Sequence, residues 1–141
     1  MTHWKSLTRW LLLPFGTVIT YLLIGGINML IFRDYRTLPE ENIFLMVFKG
    51  LIHYAPSYLI AGIAAIYVGI SIAPSKKRTV AIVLGSIIAT ILVALIAINA
   101  YAFELGKIER GPFYCGLFQN IGGLIGVIFG AVAVSGSGDY N

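Results

Sequence analysis

The sequence predicts an all-α integral membrane protein, an antiparallel four-transmembrane-helix bundle with short loops. Of its 141 residues, 58% are hydrophobic and only 11% are charged, and the mean hydropathy is +0.88. A soluble domain carries about 25% charged residues, because water must solvate its surface. The charged fraction here is less than half of that value, so lipid is expected to cover most of the surface.

Four apolar stretches give the number of spans. A helix needs about 20 predominantly apolar residues to cross a hydrocarbon core about 30 Å thick. The predicted spans are approximately residues 10–32, 50–73, 79–103 and 117–134. They form a single transmembrane domain over residues 1–141, and their short connections predict antiparallel packing of successive helices. A cleaved signal peptide is the alternative for the first span, but its apolar run exceeds the usual length of about 7–15 residues.

The approach to the second span contains further helix signals. Thr37 and Glu40 have the spacing of a helix N-cap and its partner, which predicts a helix start before the apolar stretch. Lys49 is expected to extend towards the lipid headgroups. Pro56 predicts a kink near that end of the span.

The basic residues predict the orientation. Although the net charge is +4, the basic residues lie in short clusters between apolar runs, which is typical of topology signals and excludes nucleic acid as the expected partner. One side carries Lys5, Arg9, Lys76, Lys77 and Arg78, and the other carries Arg33, Arg36, Lys107 and Arg110. The compact cluster at residues 76–78 favours a cytoplasmic second loop, and therefore two cytoplasmic termini. The expected location is a plasma membrane, with a bacterial inner membrane favoured.

Small residues recur at four-residue spacing on three of the four spans. Helices in lipid associate by close packing, which small residues permit. The predicted helix-packing residues are Ala61, Ala65 and Gly69 on the second span, Ala81, Gly85 and Ala89 on the third, and Gly122, Gly126 and Gly130 on the fourth. These rows serve contacts within one chain or between chains, and the fourth span is the best candidate for meeting a partner.

Polar side chains within the spans cluster near one surface, which the orientation makes the outer one. They are Asn28, His53, Asn99, Gln119 and Asn120. At 1.5 Å per residue all of them lie roughly 5 Å below that surface. Two interpretations remain open: a layer of interhelical hydrogen bonds, or a pocket that binds a small polar ligand or a lipid headgroup. The five residues are candidate ligand-binding residues under the second interpretation.

Recognisable catalytic groups are missing from the sequence. It contains no zinc-protease, nucleophile-elbow or phosphate-loop motif, and we expect no catalytic residues, no metal site and no cofactor. The single cysteine, Cys115, excludes an intrachain disulfide. Mixed charges in the outer loops leave an enzyme acting on lipid-linked substrates as a minor hypothesis; they are Asp34, Glu40, Glu41, Glu104, Lys107, Glu109 and Arg110.

The leading functional hypothesis is a non-enzymatic multi-pass membrane protein. It would act as an accessory, assembly, regulatory or protective subunit through helix–helix contacts in the membrane. The expected partners are the lipid bilayer and another membrane protein or further copies of the chain. The alternative is a small oligomeric transporter or channel with an outward-facing polar pocket.

Overall fold

All regular structure in the described part of the chain is helical. The computed structural model describes residues 2–31 and 42–136, apart from the side chains of residues 2–4, 28 and 29. The elements are α1 (Thr2–Ile31), α2 (Ile43–Lys49), a π-helical turn (Gly50–Tyr54), α3 (Ala55–Ile72), α4 (Lys77–Glu104) and α5 (Arg110–Gly136). Because α2, the π-helical turn and α3 run on as one helix, four helices are long and apolar enough to cross a membrane. This confirms the predicted all-α class and the four apolar helices.

The second long helix begins later than the cap signal predicts. Asn42 has an extended backbone, with φ −120° and ψ 90°, and its side chain accepts a hydrogen bond from the Leu45 amide at 3.3 Å. This is the geometry of an N-cap, which satisfies one of the free amides of the first helical turn. The expected cap residues Thr37 and Glu40 lie outside the described residues.

A π-helical turn lies directly before α3, next to Pro56, where the sequence predicts a kink. In a regular α-helix the proline ring collides with the carbonyl group four residues earlier. Here the preceding turn is wider, and the Ala55 amide donates to the carbonyl of Gly50, five residues back. The extra residue in this turn rotates α2 relative to α3 by about 100° compared with a regular helix. Sequence periodicity along α3 therefore does not continue into α2.

The central interface of the bundle joins α3 and α5. The next largest interfaces are those of α4 with α5 and of α1 with α3, whereas α3 and α4 share a smaller one despite their short connection. α3 therefore lies between α1 and α5, and α5 lies between α3 and α4. This order leaves α1 and α4 at the two sides of the bundle.

The contacts along each interface give the helix directions. Going along α5, Gly122 lies against Ala55 and Gly126 against Leu59, so α3 and α5 run parallel. The α4–α5 contacts run in the opposite sense, from Gly85 with Ala131 to Asn99 with Gly116. Successive long helices are antiparallel, but the principal contact is between two helices that α4 separates in the sequence.

The two ends of the bundle are packed differently. The buried hydrophobic cluster lies towards the end of α3 and the start of α4, with Ile66, Ile70, Val127 and Val134 at most 2% exposed. We call this the closed end. The opposite end is formed by α2, the π-helical turn and the start of α5, and it contains a cavity; we call it the cavity end.

Candidate functional site

The glycines of α5 bring its backbone against that of α3. A methyl group added at Gly122 would lie 2.8 Å from the Cα atom of Ala55, and one at Gly126 would lie 2.8 Å from the Cα atom of Leu59. Contacts this short show that the two helix backbones touch. On the α3 side, a methyl group at Gly62 would lie 2.6 Å from the carbonyl oxygen of Gly123. Gly62 completes this interface and was missing from the predicted packing residues, because it lies one position off their four-residue row.

The other small residues of the predicted rows also lie inside the chain. Ala61, Ala65 and Ala81 have no exposed surface. A methyl group at Gly130 would lie 3.1 Å from Cβ of Ile66, and one at Gly69 would lie 2.8 Å from the Thr17 hydroxyl. Gly85 is buried and Ala89 is half-buried. Most of these residues thus contribute to packing between helices of the same chain.

A cavity of about 250 Å³ lies at the cavity end. Residues of α2, the π-helical turn and the first three turns of α5 form its walls. It is lined by Met46, Lys49, Gly50, Tyr54, Gly111, Pro112, Tyr114, Cys115, Gly116 and Gln119. The side chain of Phe118 packs directly over Gly50, so a larger residue at position 50 would displace that ring. The absence of a side chain at Gly50 therefore lets the Phe118 ring lie against the backbone of the widened turn.

Most of the cavity lining on the second long helix lies more than about 20 residues before the end of α3. A hydrocarbon core of about 30 Å takes about 20 helical residues. Counted back from Ile72, the last residue of α3, these 20 residues reach His53. Lys49 and Gly50 lie beyond that point and line the same cavity as Gly116 of the parallel helix α5.

The cavity wall has one charged residue among the described side chains that line it, the half-buried Lys49. Two phenols, an amide and a thiol supply the other polar groups; they belong to Tyr54, Tyr114, Gln119 and Cys115. The carboxylates of the described chain, Glu104 and Glu109, are not part of this lining. The described lining therefore combines one ammonium group with neutral polar groups.

The five candidate ligand-binding residues occupy different positions. Gln119 lines the cavity. Asn99 packs on Gly116, since a methyl group there would lie 3.3 Å from its Nδ2. Asn120 and His53 are half-buried, and the carbonyl group of His53 accepts a hydrogen bond from Ser57 at 2.8 Å.

The fifth candidate is Asn28, whose side chain is not among those that the structure describes. The buried row of the second long helix runs through Met46, Gly50, Tyr54 and Tyr58. Tyr54 therefore holds the inward position at the level where the sequence placed His53, because Tyr54 lies four residues before the buried Tyr58 and His53 lies five residues before it.

Two tyrosines place hydroxyl groups in the middle of the bundle. The rings of Tyr21 and Tyr58 meet edge to face, with centroids 6.0 Å apart. The Tyr58 hydroxyl donates to the carbonyl of Gly25 at 3.5 Å. The Tyr21 hydroxyl packs on Gly123 and has no hydrogen-bond partner among the described residues. A buried hydroxyl without a partner costs free energy.

The outer face of α4 carries a row of small residues that the bundle does not cover. Ser86, Thr90 and Ala94 are all exposed, and their four-residue spacing places them on one face. The Thr90 hydroxyl donates to the Ser86 carbonyl at 2.8 Å, so it is satisfied within its own helix. This row differs from those of α3 and α5, which are buried inside the chain.

A shallow basic groove lies at the closed end, lined by Lys5, Ser6, Thr8, Arg9 and Pro74.

Across residues 2–31 and 42–136, no three His, Cys, Asp or Glu side chains come together as a metal site requires. No protein-family model, curated protein or solved structure matches this chain.

Proposed function

We propose that the chain is a non-enzymatic, multi-pass protein of the plasma membrane that acts as an accessory, assembly, regulatory or protective subunit through helix–helix contacts. The observation that carries this proposal is the exposed row of Ser86, Thr90 and Ala94 on α4. In lipid, small residues at this spacing allow another helix to approach closely. The equivalent rows of α3 and α5 are already used within the bundle, whereas the α4 row is exposed and available to a partner.

The packing of the closed end also supports a binding role. Ile66, Ile70, Val127 and Val134 fill the bundle there. A rigid bundle presents its outer faces in a fixed arrangement, which reduces the entropy lost when a partner helix binds. The side position of α4 leaves its outer face accessible from the bilayer.

The partner interface predicts a specific response to substitution. Ser86→Ile combined with Ala94→Ile should weaken association about tenfold, because added side-chain volume in a close helix contact costs about 1–3 kcal/mol. The measurement is the mass of the tagged chain after mild detergent extraction from its native membrane. Ala133→Ile is the matched control, since Ala133 is also exposed but lies on α5, and it should leave the complex intact.

The outcomes of this measurement are distinct. A complex with another membrane protein that the double substitution dissociates would support the proposal. A lone chain under several mild detergents would contradict it. Dissociation by Ala133→Ile to the same extent would remove the α4 row from the interface.

The alternative function, a small oligomeric transporter or channel, is favoured by the cavity. Because the side chains at the closed end pack tightly, a continuous path would have to run between copies of the chain. Association of the chain with itself alone, together with solute flux in reconstituted vesicles, would favour this alternative over the accessory role.

The proposed orientation has its own test. We place both termini in the cytoplasm, which puts the cavity end outside and the basic groove of Lys5 and Arg9 at the cytoplasmic surface, where anionic lipids attract basic residues. Cys115, the single cysteine, should then react with a membrane-impermeant thiol reagent added to intact cells. Reaction only after the cells are permeabilised would reverse the orientation.

A further inference from the structure

We propose that the basic groove at the closed end is a binding site for an anionic phospholipid. Lys5 and Arg9 bind the phosphate group of this lipid, and its acyl chains lie along α1. The inference rests on the membrane location proposed above, but it depends neither on the accessory role nor on which end of the bundle faces the cytoplasm. Three features carry it: the charge of the groove, its level in the membrane and the apolar surface that adjoins it.

The groove brings two cationic side chains together on one helix. Lys5 and Arg9 are four residues apart, which places them on the same face of α1, and both are exposed. Within the described part of the chain, neither forms an ion pair or a side-chain hydrogen bond. Ammonium and guanidinium groups form charge-assisted hydrogen bonds with phosphate oxygens. Two such groups side by side favour a headgroup with a net negative charge over a zwitterionic one.

The acidic residues of the described chain lie at the opposite end of the bundle. Glu104 ends α4 and Glu109 directly precedes α5, so both are at the cavity end. The sequence contains no aspartate or glutamate in residues 1–33 or in residues 42–103. Asp139 follows the end of α5 in the sequence and lies outside the described residues. Its substitution is therefore included among the variants.

The packing of α1 on α3 places the groove at headgroup level. Gly16 lies against Ile72, the last residue of α3, so α1 extends about 10 Å past the end of α3 by the position of Arg9. Headgroups occupy about 5–8 Å on each side of the hydrocarbon core. The groove lies between Arg9 and Pro74, which is two residues beyond Ile72. Lys5 is one turn further out, and its flexible four-carbon side chain extends back to the same level.

An apolar surface begins on the hydrocarbon side of the groove. Leu12 lies three residues after Arg9, and Phe15 and Ile19 continue the same face of α1 at spacings of three and four residues. Their exposed fractions are 54%, 66% and 53%. A lipid whose phosphate lies beside Arg9 therefore has its acyl chains along this face, in the direction of the bilayer centre.

The chain carries its own reporter, because its two tryptophans flank the groove residues of α1. Trp4 precedes Lys5, and Trp10 follows Arg9. The full-length Trp4→Phe variant keeps Trp10 as its single tryptophan and serves as the reporter chain. It is placed in phosphatidylcholine nanodiscs that contain increasing amounts of either brominated phosphatidylglycerol or brominated phosphatidylcholine. Bromine on an acyl chain quenches tryptophan fluorescence only at close contact, so quenching measures the lipid next to Trp10.

We expect brominated phosphatidylglycerol to reach half-maximal quenching at a several-fold lower mole fraction than brominated phosphatidylcholine. Lys5→Gln combined with Arg9→Gln should remove this preference, because each basic residue near an anionic surface contributes about fivefold. Circular dichroism and incorporation into nanodiscs check that each variant is folded.

A matched control separates the groove from general attraction to the membrane surface. Lys76→Gln combined with Arg78→Gln removes one lysine and one arginine at the same end of the bundle. Both residues are exposed, and neither lines the groove. This variant should keep most of the preference for phosphatidylglycerol.

Several results would overturn the proposal. Equal quenching by the two brominated lipids in the incorporated reporter chain would do so, without contradicting the membrane location. An equal loss of preference in both double variants would show diffuse attraction and no discrete site. A preference that appears only after Asp139→Asn would show that a carboxylate of the chain occupies the groove.

Inorganic phosphate distinguishes the lipid from a soluble anion. Added phosphate should alter the preference no more than sodium chloride of the same ionic strength does. Loss of the preference with phosphate alone would assign the groove to a soluble anion and overturn the lipid assignment.

Discussion

Replacing Gly126 with alanine should lower the free energy of unfolding of the bundle by about 3 kcal/mol, the upper end of the usual range for overpacking. The added methyl group would lie 2.8 Å from the Cα atom of Leu59 and closer still to the carbonyl oxygen of that residue. These are backbone atoms, which cannot rotate away as a flexible side chain can. The two central helices would have to separate, and the contacts of their neighbours would be lost with them.

Gly26→Ala is the matched control for this substitution. Gly26 also lies inside a long helix, but a methyl group there meets no atom within 4 Å. Alanine favours the helix by about 1 kcal/mol over glycine, so this variant should be as stable as the parent or slightly more stable. Unfolding by sodium dodecyl sulfate, followed by circular dichroism, measures both. Equal effects of the two substitutions would contradict the close contact of α3 and α5.

A substitution at Tyr21 is expected to stabilise the bundle. Tyr21→Phe should raise the free energy of unfolding by about 1–3 kcal/mol, because it removes a buried hydroxyl that has no partner among the described residues. The phenylalanine ring keeps the edge-to-face contact with Tyr58. The same unfolding titration gives the measurement.

Tyr58→Phe provides the comparison. Its hydroxyl donates to the Gly25 carbonyl at 3.5 Å, a long hydrogen bond, so its removal should lower stability by less than about 1 kcal/mol. The two substitutions delete the same atom at neighbouring positions, and their effects should differ in sign. A loss of stability in Tyr21→Phe would mean that its hydroxyl has a hydrogen-bond partner in the membrane.

Composition and hydropathy were sufficient to predict the helical class and the four apolar helices. The helix bounds were harder to predict, because hydropathy detects the apolar part of a helix and not its hydrogen-bonded ends. α5, for example, begins at Arg110, seven residues before the predicted span. The sequence could not show which helices contact each other, because three of the four helices carry similar rows of small residues. The parallel contact between α3 and α5 is seen only in the structure.

The candidate site could be predicted only in part. The predicted polar layer includes Gln119, which lines the cavity. Lys49 was assigned to the headgroup region and not to a site, and Tyr54 received no role. The π-helical turn shifts the register of α2, and with it Lys49, in a way that regular periodicity cannot represent. Pro56 indicates that the helix is irregular at this point, but a proline does not reveal whether the irregularity is a kink or a π-helical turn.

The parallel contact between α3 and α5 has a consequence for biogenesis. The ribosome synthesises the whole of α4 between the two partners. Until α5 emerges, the backbone of α3 around Gly62 lacks the helix that covers it in the folded chain. The central pair of the bundle therefore cannot form before both intervening loops and α4 have been made.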